Sequence, residues 1–314
     1  MLTSLKNRLL QLGPESPLLL FAFRLQAKMH GIRMNVADGK ILLTRGQQKM
    51  ILSGQHPIFV PFAVHSWTMF FDDIVGETRD GQTVLDFSVP GLHRYRKTGL
   101  SFHFPSFAED DCMDAYTAAY SPKSGDIVWD VGAHAGATAY FLAQMVGPEG
   151  KVYAFEPDET GYEFLVRNIE LHQLSNVIPV KAALSATTGT ATFCMDGTMG
   201  AGLSDSLQYI SSENTKTVET LSLQDACERF GSVPNYMKID IEGAELNVVE
   251  SSLDFLRSHP INLAIESNHV VNGTLTSGPL DRILGEAGYR VWSSDKYGQR
   301  FTWAQPAQRQ QQPN

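Results

Sequence analysis

The chain has 314 residues, of which 43% are hydrophobic and 19% charged, enough apolar side chains to bury a core in one or two domains. This composition excludes a disordered or fibrous protein. The 25 Lys and Arg against 34 Asp and Glu residues give a net charge of −9, which disfavours nucleic acid or another polyanion as a partner. Cys112, Cys194 and Cys227 form no CxxC pair and have no His partner at zinc-finger spacing, which predicts a reducing compartment and no structural zinc.

The two apolar stretches near the N-terminus are too short to span a bilayer. Residues 18–23 are followed by no small-residue cleavage site, and residues 58–71 are interrupted by Pro61 and His65. We therefore expect a cytoplasmic protein without stable membrane insertion, although the aromatic residues leave a weak contact with a membrane surface open. Trp67 and its neighbours are expected to form core rather than a ligand surface.

The first third of the chain has a mixed pattern that predicts an N-terminal α+β region at residues 1–106. Short apolar runs bounded by Gly and Pro predict strands at 40–43, 83–89 and 100–104, and helical spacing predicts a helix at 109–120. At the other end, residues 305–314 contain mainly Gln and Pro and no large apolar side chain. We expect this tail to be disordered.

From residue 127 the pattern changes to alternating strands and helices. Strands are predicted at 127–131, 152–155, 176–184, 237–241 and 263–265, with helices at 136–145, 158–174, 244–256 and 279–287. This alternation predicts an α/β fold with a mostly parallel, Rossmann-like sheet between helices. Residues 289–292 and 301–304 follow without a helix and should form an antiparallel hairpin at the sheet edge.

The turn after the first strand of this sheet combines an acid with two glycines. It reads Asp130-Val131-Gly132-Ala133-His134-Ala135-Gly136, where the glycines let a ligand approach the backbone and Asp130 can hold an ammonium group. The dinucleotide fingerprint GxGxxG would need glycine at His134 and Ala137, which disfavours a nicotinamide cofactor. A purely structural turn is the alternative.

An acid also ends the second strand. Glu156 is followed by Pro157, so its carboxylate is expected at the same sheet edge as Asp130. An ionised carboxylate there can accept hydrogen bonds from the 2′ and 3′ hydroxyls of a ribose. A charge at a helix N-terminus is the alternative, but Asp130, the glycine turn and Glu156 together favour nucleoside binding.

Charged residues alternate with apolar ones in the fourth strand. Lys238, Asp240 and Glu242 share one face of a strand that should be central and buried, so we expect them to pair with each other, a ligand or a metal. A salt bridge between Lys238 and Asp240 is the simplest alternative. Glu266 and His269, at the end of the fifth strand, bring a carboxylate and an imidazole to the same edge.

Residues 124 to about 292 resemble an FkbM-type methyltransferase domain, from a group of class I S-adenosylmethionine-dependent enzymes. Residues 238–245, Lys-Ile-Asp-Ile-Glu-Gly-Ala-Glu, carry most of the resemblance. The other matching positions are residues 130–136, Phe155-Glu156-Pro157, Asn168, Ala183-Leu184 and Thr220-Leu221. The resemblance implies a seven-stranded methyltransferase sheet within a domain at residues 107–304, and S-adenosyl-L-methionine as the cofactor.

Carried over by position, the resemblance also implies roles in cofactor binding. Gly132 and Gly136 would face the methionine part of the cofactor, Asp130 its amino group and Glu156 its ribose. His134 stands where the family usually has Asn, and a hydrogen bond from His134 to the cofactor carboxylate would replace that contact. Residues 1–106 lie outside the resemblance, and we expect them to help cover the active site and select the acceptor.

Methyl transfer to a hydroxyl requires alignment of the acceptor and removal of its proton. The candidate catalytic residues are Asp240, Glu242, Glu266 and His269. We expect His269 or Asp240 to be the general base and the remaining acids to orient the acceptor. We expect no metal, although Mg²⁺ held by Asp240 and Glu266 is an alternative. The resemblance implies O-methylation of a sugar, glycan or other secondary metabolite.

Three other classes of protein remain open on the sequence. A nicotinamide-dependent oxidoreductase would have the same fold, and a non-catalytic nucleoside-binding scaffold would keep the same motifs. A protein-interaction domain without a ligand would leave Glu156 and Asp240 unexplained. Cofactor binding distinguishes this last class from the others, and product formation distinguishes an enzyme from a scaffold.

Overall fold

The computed structural model describes residues 16–54, 57–109, 113–194, 202–203, 215–271 and 273–307. The chain divides into two compact units, one ending at Asp110 and the other covering Asp111–Asn314. No helix in the described part of the chain is long and apolar enough to cross a bilayer.

The first unit is an α+β structure built around a five-stranded sheet. Its elements are α1 (Pro17–Met29), β1 (Arg33–Ala37), β2 (Lys40–Arg45), β3 (Gln48–Ser53), α2 (Val60–His65), α3 (Trp67–Asp73), β4 (Glu77–Arg79), β5 (Gln82–Phe87), β6 (Gly91–Arg94) and β7 (Ser101–Phe104). The sheet order is β1-β2-β3-β5-β4, and β6 pairs with β7 in a separate hairpin. Trp67, Phe70 and Phe71 are buried, so they belong to the core of this unit.

The second unit contains the larger, mainly parallel sheet. Its elements are α4 (Met113–Tyr116), β8 (Ile127–Val131), α5 (Ala137–Val146), β9 (Lys151–Phe155), α6 (Glu159–Leu171), β10 (Val177–Val180), β11 (Ala183–Leu184), β12 (Gly189–Cys194), β13 (Gly202–Leu203), β14 (Thr215–Leu221), α7 (Leu223–Phe230), β15 (Tyr236–Ile239), α8 (Glu245–Ser251), α9 (Leu253–Ser258), β16 (Asn262–Glu266), β17 (Val270–Val271), β18 (Thr274–Leu275), α10 (Ser277–Glu286), β19 (Tyr289–Ser294) and β20 (Phe301–Pro306).

Seven strands form the central sheet in the order β10-β9-β8-β15-β16-β20-β19. Every neighbouring pair is parallel except for β20, which is antiparallel to both β16 and β19. Successive residues of the inner strands contribute to separate apolar clusters: Trp129 and Met237 belong to one, Val128 and Tyr236 to the other. The predicted Rossmann-like α/β fold, with its antiparallel hairpin at the edge, is confirmed.

Three predicted elements have different bounds in the structure. Within the described residues 113–120 of the helix predicted at 109–120, the helix ends at Tyr116, since side chains of β20 donate hydrogen bonds to the carbonyl oxygens of Ala115 and Ala119. Residues 110–112 lie outside the described residues. The helix predicted at 244–256 is divided at Ser252 into α8 and α9. The strand predicted at 176–184 ends at Val180, and β11 pairs instead with β14.

The strands that the sequence did not predict include β12 and β14, and the C-terminal boundary also differs from the prediction. Strands β12 and β14 belong to a second sheet of the order β11-β14-β12-β13, and most of their residues lack the burial that gives a strand its apolar pattern. Strand β20 extends through Gln305 and Pro306, so disorder is wrong for these two residues, because Gln305 pairs with Arg290. Residues 308–314 of the predicted tail lie outside the described residues.

Candidate active site

The candidate site lies where the strand order of the central sheet reverses. From β8 the chain proceeds to β9 and β10 on one side, and then returns to place β15 and β16 on the other. A crevice at the carboxyl ends of parallel strands forms at such a reversal, and ligands bind there in open α/β sheets. The segments that follow β8, β9, β15 and β16 meet at this edge.

The turn after β8 approaches the segment after β15 so closely that only glycine fits at position 132. Gly132 has φ +82°, and a Cβ atom built on it would lie 1.8 Å from the backbone oxygen of Asp240. Gly136 has φ +83°, and its Cβ would lie 2.5 Å from a methyl carbon of Leu165. Both glycines are therefore required by backbone conformation and packing, and their contact with a cofactor stays a prediction.

A buried ion pair joins β8 to β15 beneath this turn. Asp130 and Lys238 are in-register neighbours on the parallel strands, and the Lys238 Nζ lies 3.1 Å from the Asp130 Oδ1. Lys238 also donates a hydrogen bond to the carbonyl oxygen of Gly132. Lys238 thus pairs with Asp130 and not with Asp240, the simplest partner from the sequence, because cross-strand register places the two charges side by side.

Glu156 is a buried acid at the end of β9. Its Oε2 accepts a hydrogen bond from the backbone N–H of His134 at 2.8 Å, and its Oε1 accepts one from Asp158 at 2.8 Å. Burial raises the pKa of Glu156 to about 7, although the nearby His134 and these backbone hydrogen bonds oppose the increase. The structure therefore connects Glu156 directly to the glycine turn, through a His134 backbone at φ +44°.

A tyrosine hydroxyl brings two of the predicted catalytic acids together. The Tyr116 hydroxyl lies 3.2 Å from Glu266 Oε2 and 3.4 Å from Asp240 Oδ2. Tyr236 donates a hydrogen bond to the Tyr116 carbonyl oxygen at 2.8 Å, which anchors α4 to β15. The sequence did not identify Tyr116 as a site residue, because it lies on a helix far from the strand ends in sequence.

His269, the third predicted catalytic residue, lies between two other carboxylates. Its Nδ1 is 3.0 Å from Glu245 Oε1, and its Nε2 is 3.5 Å from Glu242 Oε2. Burial lowers the pKa of His269, but Glu245, Glu242 and Asp240 more than offset this effect and raise it to about 10. The sequence analysis included Glu242 among the candidate catalytic residues, whereas Glu245 was part of the same motif without a catalytic role.

Glu245 is fixed by the turn that precedes its own helix. It is fully buried, and its Oε1 accepts hydrogen bonds from the backbone N–H groups of Ile241 and Gly243, each at 3.1 Å. The turn reverses at Glu242, whose φ is +54°. One side of the crevice therefore carries closely spaced carboxylates and one imidazole. Such groups can bind a hydroxyl or a cation, and they can transfer a proton.

Comparison with known proteins identifies the family. The family model described as "Methyltransferase FkbM domain" matches residues 130–291, more than half of the chain. The chain belongs to the FkbM methyltransferase family. The match includes Asp130, Glu156, Asp240 and His269, so the resemblance read from the sequence is confirmed.

Two curated methyltransferases are similar to about half of the chain. The hexuronic acid methyltransferase AglP of Haloferax volcanii is 30% identical over 149 residues, which cover 47% of this chain and 57% of that protein. The methyltransferase sdnD of Sordaria araneosa is 27% identical over 158 residues, which cover 49% of this chain and 56% of that protein. The chain thus spans about half the length of the curated relatives it matches.

Among solved structures, methyltransferases are similar to the chain at low sequence identity. The FkbM methyltransferase from Methylobacillus flagellatus KT is 15% identical with a TM-score of 0.46, over 62% of this chain and 48% of that one. Aeropyrum pernix fibrillarin, solved with natively bound S-adenosyl-L-methionine, is 12% identical with a TM-score of 0.39, over 87% of this chain and 98% of that one.

Proposed function

We propose that this FkbM family member transfers a methyl group from S-adenosyl-L-methionine to a hydroxyl oxygen of a neutral sugar or a similar small metabolite. Family membership supports methyl transfer. The observation that carries the choice of cofactor is Glu156, a buried acid with a raised pKa at the end of β9 and in hydrogen-bond contact with the glycine turn.

The environment of Glu156 fits the ribose of such a cofactor. Each carboxylate oxygen accepts one backbone hydrogen bond and keeps a further lone pair, so two hydroxyl donors would complete the set. Gly161 lies behind the carboxylate, where a Cβ would be 3.0 Å from the Glu156 Cδ. A side chain at position 161 would therefore crowd the Glu156 carboxylate, and glycine leaves room for it.

Asp130 has a less direct place in this proposal. Its side chain is fully buried and forms an ion pair with Lys238, which also donates a hydrogen bond to the Gly132 carbonyl oxygen. We propose that the pair fixes the shape of the glycine turn and contributes to the field felt by the cofactor amino group. His134 contributes its backbone N–H to Glu156, and contact of its ring with the cofactor carboxylate is part of the same proposal.

When bound, S-adenosyl-L-methionine supplies an electrophilic methyl group. We propose that Asp240 is the general base, because it stands at the strand reversal and its Oδ2 shares the Tyr116 hydroxyl with Glu266. Asp240 would accept the proton of the acceptor hydroxyl, while Glu266 and Tyr116 orient that hydroxyl. His269 is less suited to the role, since both of its ring nitrogens face carboxylates.

The charge of the site favours an uncharged acceptor. The relative AglP is named for action on a hexuronic acid, which supports a sugar as the acceptor class. However, the chain carries a net charge of −9, and Asp240, Glu242 and Glu266 lie close to the proposed reaction centre. In the absence of a bound cation, these carboxylates would repel an anionic acceptor, so a neutral sugar hydroxyl is the better match.

Formation of S-adenosyl-L-homocysteine tests this proposal. The purified chain would be incubated with S-adenosyl-L-methionine and either neutral hexosides or the matching hexuronosides. We expect faster product formation with the neutral set, and loss of at least about 100-fold in kcat for Asp240→Asn, as is usual for removal of a general base. The exposed Glu170→Gln is the matched control. Full activity of Asp240→Asn would contradict the role of this residue.

A further inference from the structure

Three side chains near the reaction centre have the arrangement of a mixed carboxylate and imidazole metal site. Ligand atoms of Asp240, Glu242 and His269 all lie within 4.8 Å of one another. Atoms bound to one ion at about 2.1 Å are at most about 4.2 Å apart, so small side-chain rotations suffice to bring all three onto one cation. The sequence analysis offered Asp240 and Glu266 as an alternative Mg²⁺ site. The group found here shares Asp240 with that pair but contains Glu242 and His269 in place of Glu266.

The orientation of His269 provides an independent argument. Metal-binding histidines usually donate the hydrogen of one ring nitrogen to a carboxylate, which fixes the ring and directs the other nitrogen to the ion. Here Nδ1 lies 3.0 Å from Glu245, a fully buried carboxylate that two backbone N–H groups hold in place. Nε2 faces Glu242 at 3.5 Å. Glu245 therefore has the position of the orienting carboxylate.

The local charge balance also favours a cation. Four carboxylates, those of Asp240, Glu242, Glu245 and Glu266, belong to one connected set of contacts through His269 and Tyr116. His269 is the basic side chain that lies directly against two of these acids, Glu242 and Glu245. Closely spaced carboxylates that are partly buried repel one another unless a positive charge lies between them.

We propose that Asp240, Glu242 and His269 bind one divalent cation of the first transition row, with Glu245 orienting the histidine. Two carboxylates and one imidazole suit Mn²⁺ or Zn²⁺ better than Mg²⁺, which prefers an all-oxygen shell. The remaining coordination positions would be open to water or to the acceptor hydroxyl. The use of the ion at the reaction centre rests on the proposed function, but its binding does not.

Mn²⁺ binding to the purified full chain tests the proposal. After treatment with a chelator, the protein is titrated with Mn²⁺, and the free ion is measured by electron paramagnetic resonance. We expect one ion per chain in the unaltered protein, with affinity reduced at least tenfold by His269→Gln and by the partly exposed Glu242→Gln. Glu266→Gln and the exposed Glu170→Gln should keep wild-type affinity. Thermal unfolding of each variant checks that it is folded.

The other outcomes overturn the proposal. Absence of Mn²⁺ binding, or equal binding by the unaltered protein and folded Glu242→Gln, would show that the three residues form only an ion-pair cluster. Loss of binding in Glu266→Gln with retention in His269→Gln would place the ion on Asp240 and Glu266 instead. S-adenosyl-L-methionine binding, measured calorimetrically on the metal-free protein, distinguishes these results from failure of the proposed function.

Discussion

At the level of single residues, Glu156 links the stability of the chain to its proposed binding function. Its pKa is raised from 4.5 to about 7, first because burial disfavours the ionised form. The folded protein therefore holds a proton that the unfolded chain releases between these two values. The stabilising contribution of Glu156 is present below pH 4.5 and is lost as the pH rises through about 7.

This linkage predicts a pH dependence that Glu156→Gln should remove. The difference in unfolding free energy between the unaltered protein and the variant is expected to fall by roughly 3 kcal/mol from about pH 4.5 to about pH 8, because the glutamine does not ionise. Urea denaturation in the absence of ligand at the two pH values measures this difference. Stability curves that run parallel with pH would show that Glu156 ionises normally.

Gly132 is the residue at which a side chain would cause the most direct clash with the candidate site. Ala at this position would place its Cβ 1.8 Å from the Asp240 backbone oxygen. We expect Gly132→Ala to lower the free energy of unfolding by about 3 kcal/mol or more. Gly125→Ala is the matched control, since Gly125 has a similar φ of +88° but nothing within 4 Å of a built Cβ. The control should lose only about 1 kcal/mol.

Urea denaturation of the two alanine variants separates strain from contact. The part of the loss common to both reflects the left-handed backbone conformation, and the excess in Gly132→Ala reflects the approach of the turn to the Asp240 segment. Equal decreases in the free energy of unfolding would mean that the glycine turn and the Asp240 segment can move apart without loss of stability.

At the level of elements, the Asp130–Lys238 pair connects the two strands between which the sheet order reverses. Lys238→Met would leave the Asp130 carboxylate buried beside an apolar side chain, which typically costs about 3–5 kcal/mol. The double variant Asp130→Asn with Lys238→Met should recover part of this loss, since it removes both charges. Arg229→Met, which breaks the exposed pair with Glu219, should cost less than about 1 kcal/mol.

Denaturation of these variants gives a direct comparison between a buried and an exposed ion pair. A similar loss for Lys238→Met and Arg229→Met would indicate that water reaches the pair between β8 and β15. A loss in the double variant as large as in Lys238→Met would show that the lysine acts mainly through its hydrogen bond to the Gly132 carbonyl oxygen.

The strands that bear the candidate site were the elements easiest to predict. Strands β8, β9 and β15 are short apolar runs, because both faces of a central parallel strand are buried. Strand β14 was not predicted, because its first residues are mostly exposed and most of its side chains are polar. It therefore lacks the apolar run by which the buried strands were recognised. The end of helix α4 was missed because β20, nearly 190 positions away, supplies its hydrogen-bond partners.

In the candidate site, too, the features set by neighbouring residues could be predicted, and those set by residues far apart in the sequence could not. The end of each strand could be read from the sequence, so Asp130, Glu156, Asp240 and Glu266 were found at one edge. Which of them pair was not readable, because Lys238 meets Asp130 only through the register of two strands more than a hundred residues apart. Tyr116 was missed for the same reason, since it reaches the acids from outside the strand ends.

At the level of the whole molecule, the residues of the proposed cofactor site all lie in the second compact unit. That unit, Asp111–Asn314, has its own sheet and its own apolar clusters. We therefore expect a chain shortened to residues 107–314 to unfold cooperatively and to bind S-adenosyl-L-methionine. It should lose activity towards the acceptor, because we propose that residues 1–106 help to cover the active site and select the acceptor.

Parallel measurements of cofactor affinity and turnover on the shortened chain test this division of roles. Calorimetry reports the affinity, and formation of S-adenosyl-L-homocysteine reports the turnover. Undiminished turnover would show that the first unit has no part in acceptor selection. Loss of cofactor binding by a shortened chain that still unfolds cooperatively would show that the cofactor site needs the first unit.

We propose that the sheet edge formed by β8 and β9 binds S-adenosyl-L-methionine. The most direct measurement is calorimetric titration with this compound, and separately with NAD, of the unaltered protein, of Glu156→Ala and of the exposed control Glu170→Ala. We expect micromolar binding of S-adenosyl-L-methionine, at least tenfold weaker in Glu156→Ala and unchanged in the control, with no binding of NAD. Absence of S-adenosyl-L-methionine binding to the unaltered protein, or equal affinity in Glu156→Ala, would contradict it.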